Sequence, residues 1–552
     1  MRRVVSVLLL AATVLSAPAV AGADGITGVG QELKRLLQQD ELQIGATRIL
    51  ADETIVEIYR GNGYRPVWTR TSDMRDLLEL IEDSRDHGLN PADYSISQIR
   101  SILARAEGKQ AGERTDERQA QDEILLTESL LRYGYHRRYG KVSANRLDPD
   151  INFRRDALSS EPAHVILQRI MAAPTLEGFI EYAAPSGPHY LRMQRWLEHY
   201  RKLAAAGGWA PVPEGPTLRR DDVDPRVGEI RRRLIATGDL GPGGDASPAL
   251  FDADLEAAVK RFQARHGLAD DGVVGKQSVA AMNVPVDVRV DQLRVSLERL
   301  RWVNQEAADT LVAVNIASFR VLFYRDGELQ WWTRAMVGKN YRQTPVFRGD
   351  ITYLEFNPTW TIPPGILRND TLPAIKRDPN YLASKHIRVI DSNGQFVDPA
   401  TVDWSRYRNG VPYTLRQDPG PWNALGTVKF IFPNPHFVFL HDTPYRELYD
   451  RPERAFSSGC IRVEDPLHLA ELIFNEPGRY SKSTLQSIVD SRRTQRINLD
   501  EQIPVLILYL TAGVDPANGD VTFLKDIYDR DARVLAALDG PVVIDLPRSG
   551  SE

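Results

Sequence analysis

Cysteine chemistry at a carbonyl needs a thiolate, a base that creates it, and donors that receive the oxyanion. One stretch of this chain brings those residue types together. Cys460 is the single cysteine among 552 residues. It sits in Phe456-Ser457-Ser458-Gly459-Cys460-Ile461-Arg462, and His441-Asp442 lies nineteen positions upstream. Gly459 permits a sharp turn and close ligand approach, so the amides around Ser458, Gly459 and Cys460 could face a reacting carbonyl. His441 ends the apolar run Phe437–Leu440, which predicts a base at the end of a strand. Spacing alone leaves open a buried cysteine with an unrelated histidine, because catalytic partners meet in space rather than in sequence.

The elements that must position this pair begin near Thr310, where apolar periodicity turns strand-like. Leu311–Ala317, Phe319–Tyr324 and Glu328–Trp332 read as strands, with a hairpin across Asp326-Gly327. Ile351–Phe356, Phe430–Phe432, Phe437–Leu440, Val505–Leu510 and Val521–Leu524 continue the pattern. Between two of these strands, residues 363–424 are long, polar and rich in proline and asparagine, as expected of a lid or binding loop. Residues 28 to about 205 read as helical, with apolar spacings of three and four in 72–84 and 122–138. The stretch 108–122 is charged and reads as a surface loop or a solvated helix face, and 204–215 is a Pro/Gly-rich boundary.

The chain opens like an exported protein. Met1-Arg2-Arg3 is basic, Val4–Leu15 is apolar, and small residues at 19–23 offer a cleavage site, so residues 1–23 are expected to be a signal peptide. No cysteine follows the apolar run for lipid attachment, and no transmembrane segment is expected after cleavage. A thiol outside the cytoplasm that cannot pair within its own chain is usually put to use or buried. A net charge of −5 gives no support for nucleic-acid binding. Ten histidines and one cysteine, with no Cys-x-x-Cys pair, no His-Glu-x-x-His helix and no Gly-rich phosphate loop, predict neither metal nor organic cofactor.

Residues 222–285 form a second helical unit. Leu255, Val259 and Phe262 share one helix face, Asp252 is the expected N-cap, and Gly267 the expected stop. The run AVKRFQARHGL (258–268) with DGVVG (271–275) resembles the peptidoglycan-binding module of cell-wall enzymes. The helix pattern leaves a glycan- or peptide-binding role and a purely structural one both open.

His441-Asp442-Thr443-Pro444 with Ser457-Ser458-Gly459-Cys460-Ile461-Arg462-Val463 resembles the signature of L,D-transpeptidases, exported cysteine enzymes that cross-link peptidoglycan. Val337-Gly338-Lys339, Gln343-Thr344-Pro345, 356–363 (FNPTWTIP) and Tyr509-Leu510-Thr511-Ala512 extend the match. Arg60–Trp68 (RGNGYRPVW) looks like the scaffold of the long YcbB-like branch. Ser458 and Arg462 stand where the common pattern has His and Asn, which matches that branch.

The resemblance implies Cys460 as nucleophile, His441 as general base, and the backbone amides of Gly459 and Cys460 as oxyanion hole. It implies that the backbone carbonyl of Asp442 orients the imidazole, while the Asp442 side chain is open to reading as a turn or capping group. Arg462 is open between a substrate carboxylate and Glu464, and Trp360 between the cleft and a core. Ser458 is placed with Arg462 and Trp360 as substrate-binding. The implied reaction joins a tetrapeptide donor stem to a diaminopimelate acceptor in a 3-3 cross-link, through a cysteinyl thioester that carbapenems would also form. Water as acceptor would make an L,D-carboxypeptidase. Other wall synthases are candidate partners, and the periplasm of a Gram-negative cell is the implied location. A cysteine endopeptidase is disfavoured by its usual Cys-before-His order. A wall-binding scaffold with a dormant catalytic domain is disfavoured by the intact Cys–His pair.

The expected architecture is α+β and multi-domain. It comprises a helical scaffold (28–215), the three-helix module (222–285) projecting from it, a β-rich catalytic sandwich (295–535) capped by the 363–424 insertion, and a C-terminal tail (536–552).

Overall fold

A computed structural model describes residues 28–39, 41–45, 47–110, 114–155, 176, 178, 185, 187–242 and 249–542. The expected signal peptide and the last ten residues of the tail lie outside them. The chain builds a helical N-terminal part, a small helical module and a β-rich domain, an α+β multi-domain fold.

The N-terminal part is organised on the helix Asp116–Tyr139, which Thr115 caps by accepting from the Arg118 amide at 3.2 Å. This helix is buried on nearly every side, so its carboxylates must find partners inside. Glu123 accepts from the amides of Val67 at 2.8 Å and Trp68 at 3.0 Å. The Val-Trp end of the Arg60–Trp68 motif is thereby tied to the helix. Glu128 accepts from the Ala51 amide at 3.0 Å and pairs with Arg132.

The helix Val286–Trp302 joins the parts. It packs along the helix Pro188–Ala205 and against Asp116–Tyr139 and Asp531–Asp539. At its centre Glu298 is fully buried. It accepts from the Val142 amide at 2.6 Å, Arg301 at 2.6 Å and the Trp302 indole at 3.2 Å. Val534 and Leu538 are buried in the same core as the sheet. Ordered structure therefore continues past residue 535, where the tail was expected to begin, because the helix Asp531–Asp539 has an apolar face to cover.

In the module, Val227, Ile230, Leu255, Val259, Phe262, Val274 and Met282 form a separate core. Asp252 accepts from the Leu255 amide at 2.9 Å, as an N-cap does. The Gln263 side chain accepts from the Gly272 amide and donates to the Val273 carbonyl, each at 2.9 Å. The DGVVG turn is thus sewn to the helix before it. The module does not simply project. His266 stacks on Phe262 at 3.8 Å between ring centroids and lies 5.9 Å from Phe523, on the hairpin Ala512–Val514/Val521–Phe523.

The main sheet of the β-rich domain has nine strands: β1 (Leu311–Asn315), β2 (Arg320–Arg325), β3 (Glu328–Gly338), β4 (Phe347–Phe356), β5 (Val428–Ile431), β6 (Leu440–His441), β7 (Ala455–Ser457), β8 (Ile461–Val463) and β9 (Gln495–Leu508). Their order is β7-β3-β8-β6-β5-β4-β9-β1-β2, and β2 also pairs with β3, so the sheet closes on itself. The Asp326-Gly327 turn has φ of +55° and +73°, the mirror-image turn that hairpin twist favours.

Two sequence expectations change here. Phe437–Phe439 is not strand. Asn434 accepts from the amides of His436 and Val438 and turns the chain, leaving Phe437 at φ +54° and 80% exposed. Residues 363–424 are not an open loop. With Trp360–Thr361 they build a four-stranded sheet over a core of Ile362, Leu367, Leu372, Ile375, Leu382, Ile387, Val389 and Leu415. Scattered apolar residues between prolines and asparagines suffice for that core.

Removing Glu298 strands the buried Arg301 guanidinium, and breaking such a pair costs about 3–5 kcal/mol. Glu298→Ala is expected to lose stability on that scale in urea melts and to open the Val286–Trp302 junction to limited proteolysis.

Candidate active site

Strand register decides which side chains meet. β6 and β8 run parallel with Leu440 opposite Ile461 and His441 opposite Arg462, while β5 places Lys429 opposite His441. Residues opposite each other share a sheet face. Leu440 and Ile461 point into the core, both fully buried. His441, Arg462 and Lys429 therefore form a row on the other face. Cys460 immediately precedes β8, two residues before Arg462, at the end of the strand that pairs with His441.

The imidazole is buried, and its Nδ1 lies 2.5 Å from the Asp442 carbonyl. A carbonyl can only accept, so Nδ1 carries the proton and Nε2 is left to take one. Burial and then the Arg462 charge pull His441 down to about 3, against the carbonyls of Asp442 and Leu425. The Asp442 side chain has a separate task. It accepts from Thr427 at its amide (2.9 Å) and hydroxyl (2.7 Å), and from Arg446 at 3.0 Å. It is a turn clamp that fixes where the carbonyl points.

Cys460 is half-buried, with Sγ 3.6 Å from the Phe437 carbonyl. Burial pushes the thiol up, while the Phe439 backbone, Lys429 and Arg462 pull it back. Burial thus favours the neutral form of both the thiol and the imidazole.

The turn carrying the cysteine is held from below. Gly459 has φ +116°, where side chains are strained. Thr344 Oγ1 donates to the Gly459 carbonyl at 2.8 Å and accepts from the Gly338 amide at 2.9 Å. Tyr528 OH donates to the Gly338 carbonyl at 2.5 Å and accepts from the Thr344 amide at 3.2 Å. Tyr509 OH accepts from the Tyr528 amide at 2.9 Å and donates to Asp526 at 2.6 Å. A Cβ on Gly338 would stand 2.1 Å from the Arg342 carbonyl. The Val-Gly-Lys, Gln-Thr-Pro and Tyr-Leu-Thr-Ala motifs thus converge on one support for the turn.

The Gly459 amide departs from expectation. It donates to Ser457 Oγ at 3.1 Å, and that hydroxyl donates to the Cys460 carbonyl at 2.6 Å. The turn closes on itself, so this amide does not point at a substrate. The Cys460 amide has no partner among the described residues.

Arg462 does not pair with Glu464, which is held by Arg334 at 2.8 Å. Its Nε lacks a partner, and among the described residues it forms no ion pair. Ser458 is exposed, and its hydroxyl accepts from Arg342 at 3.0 Å, while Arg342 also reaches Asp370 of the insertion at 2.6 Å. On the other flank, Lys385 of the insertion lies 5.9 Å over the Tyr445 ring, which itself lies 5.9 Å from Arg462. The insertion therefore touches the site from two sides. Trp360 pairs with Gln417 and packs against the insertion's own core, which accounts for it without a substrate. His436 packs at a tilt against Phe347, with ring centroids 4.8 Å apart, and stands 3.9 Å from Asp150.

Sequence reasoning missed Lys429, Tyr528 and Arg342. Lys429 follows a stretch without distinctive spacing, and only its register with His441 marks it.

Comparison with known proteins agrees with this geometry. Residues 309–475 match the L,D-transpeptidase catalytic domain model. The chain carries an L,D-transpeptidase catalytic domain. Residues 53–197 match a scaffold domain and 223–282 a candidate peptidoglycan binding domain. A Haemophilus influenzae protein named as a candidate L,D-transpeptidase is 38% identical over 223 residues, 40% of this chain and 45% of that protein. The N-acetylmuramoyl-L-alanine amidase CwlM of Mycobacterium tuberculosis is 40% identical over 76 residues, 12% of this chain and 19% of that one. This chain therefore spans less than half the length of either relative. Among solved structures, an L,D-transpeptidase from Stackebrandtia nassauensis covers 54% of this chain and 97% of its own, at 13% identity and a TM-score of 0.20, a likeness too slight to bear on the site.

A neutral thiol–imidazole pair has a distinct pH signature. With His441 near 3 and the thiol above its ordinary value, alkylation of Cys460 by iodoacetamide should rise about tenfold per pH unit between about pH 6 and 8.5. A plateau across that range would reveal a preformed thiolate–imidazolium pair instead.

Proposed function

We propose that this protein is a peptidoglycan L,D-transpeptidase, with Cys460 as nucleophile and His441 as its general base. The observation that carries the reading is the parallel pairing of β6 with β8, which sets His441 beside the strand that Cys460 leads into, with Nδ1 of His441 bound to the Asp442 carbonyl. The matched catalytic domain contains both residues.

In this reading His441 Nε2 takes the thiol proton and the sulfur attacks the carbonyl between the third residue and terminal D-alanine of a tetrapeptide stem. The Cys460 amide receives the oxyanion, and the Gly459 amide joins it only if its bond to Ser457 is exchanged. The C–N bond breaks, His441 returns its proton to the departing D-alanine amine, and a thioester remains. The side-chain amine of a second stem's diaminopimelate then attacks the thioester. His441 takes the proton of that amine and passes it to the sulfur as the C–S bond breaks. A 3-3 cross-link and the free thiol result.

Arg462, half-buried and in no ion pair among the described residues, would bind a substrate carboxylate through its planar fork. Ser458, on the exposed rim, would contact the stem. Export through residues 1–23 to the periplasm, and wall binding by the 223–282 module, belong to the same proposal. No helix among the described residues is long and apolar enough to cross a membrane.

Intact-protein mass after incubation with a carbapenem should show one adduct, absent in Cys460→Ser. Purified tetrapeptide stems should yield a dimer lacking one D-alanine. An unmodified wild-type protein whose cysteine also resists iodoacetamide would refute the reading.

A further inference from the structure

The row on the polar face holds one cation that the reaction as described does not use. Lys429 lies on β5, opposite His441 on one side and opposite Glu355 of β4 on the other. It is half-buried, and its ammonium stands 3.9 Å from the centroid of the Phe439 ring. Phe439 is the residue whose carbonyl accepts from the Ile461 amide at 3.0 Å, so it lies beside the strand segment that carries Cys460. The lysine ammonium therefore sits over a residue whose backbone is bonded to the strand that Cys460 leads into. Among the described residues it makes no ion pair, although Glu355 is its cross-strand neighbour.

We infer that Lys429 is a positioning residue for the thiolate: its ammonium, held over the Phe439 ring, stabilises the negative charge that forms on Cys460 Sγ when His441 takes the proton. The inference rests on the reading of Cys460 as the reacting thiol. A cation held on the protein does not reorganise when the charge appears, so it favours the charged state more than water would. Glu355 on its far side sets the strength of the effect, because a nearby anion offsets part of the field at the sulfur.

The other charged and titratable groups around the sulfur are His441 on β6 and Arg462 on β8, with Arg342 reaching Ser458 from the loop after β3. Arg462 is better placed for a carboxylate, since its Nε is without a partner and the guanidinium forms no ion pair among the described residues. Lys429, a compact point charge under a ring, is suited to field rather than to bidentate recognition. Burial lowers Lys429, and the Glu355 and Cys460 charges act in the opposite direction. The ammonium and a thiolate would thus favour each other's charged forms.

The test is the pH dependence of iodoacetamide alkylation of full-length protein, for wild type, Lys429→Met, Lys429→Arg and Glu355→Gln. Lys429→Met should shift the profile to higher pH, slowing alkylation near pH 7.5 by about tenfold, one unit of the titration. The limiting rate at high pH should stay within about twofold. Lys429→Arg should restore most of the lost rate, and Glu355→Gln should shift the profile the opposite way. A role in packing alone would change the melting temperature or the limiting rate without moving the titration. If Lys429→Met fails to fold, Glu355→Gln decides: an unshifted profile overturns the inference. Superimposed profiles for all variants, with the carbapenem adduct still forming on wild type, would overturn the role of Lys429 while leaving the cysteine reading intact. A wild-type cysteine unreactive to both reagents would overturn both.

Discussion

The pairing of Leu440 with Ile461 is the contact on which the site depends. A parallel ladder has one register in which both of these residues face the core, and a slip of one residue would turn each to the other face. Once it is fixed, His441 and Arg462 are opposite each other, and Cys460 leads directly into the paired strand. The geometry is therefore bought with apolar burial. The two residues that stabilise the register touch no substrate, and the polar face inherits its arrangement from them.

That burial also dictates the electrostatics. A thiolate–imidazolium pair at this depth would lose more hydration than its mutual attraction recovers unless further partners satisfied it. The Asp442 carbonyl supports the imidazole, but Arg462 and Lys429 oppose a positive charge there. The same two cations favour a negative sulfur. The site is biased against the ion pair as a unit and towards the thiolate as one half of it. Charge separation is then cheapest when a carbonyl is present to accept the electrons as the proton leaves. A resting thiol that stays neutral is also less prone to oxidation.

Much of this was legible in the sequence because the chemistry and its supports sit in short motifs. Cys460, Gly459 and His441 announced themselves by type, and the Asp326-Gly327 turn and the Asp252 cap follow local rules. Two features resisted. The fold of 363–424 depends on contacts between residues as distant as Ile362 and Leu415, and its local composition resembles a loop. Lys429 carries no local signal at all, since its place beside His441 is a property of pairing between β5 and β6. The occupied Gly459 amide was likewise invisible, because it depends on one hydroxyl rotamer of Ser457.

The insertion is best understood through its two attachments. Arg342 joins Asp370 of the insertion to Ser458 of the cysteine turn, and Lys385 approaches Tyr445 beside Arg462. Both are single polar or cation–ring contacts at half-exposed positions, worth about 1 kcal/mol or less each. The insertion's own core is apolar and closed. A unit that is internally firm but weakly attached can move as one body. Arg342 then acts at both ends, because a shift of Asp370 alters what the guanidinium offers to Ser458, two residues from the sulfur.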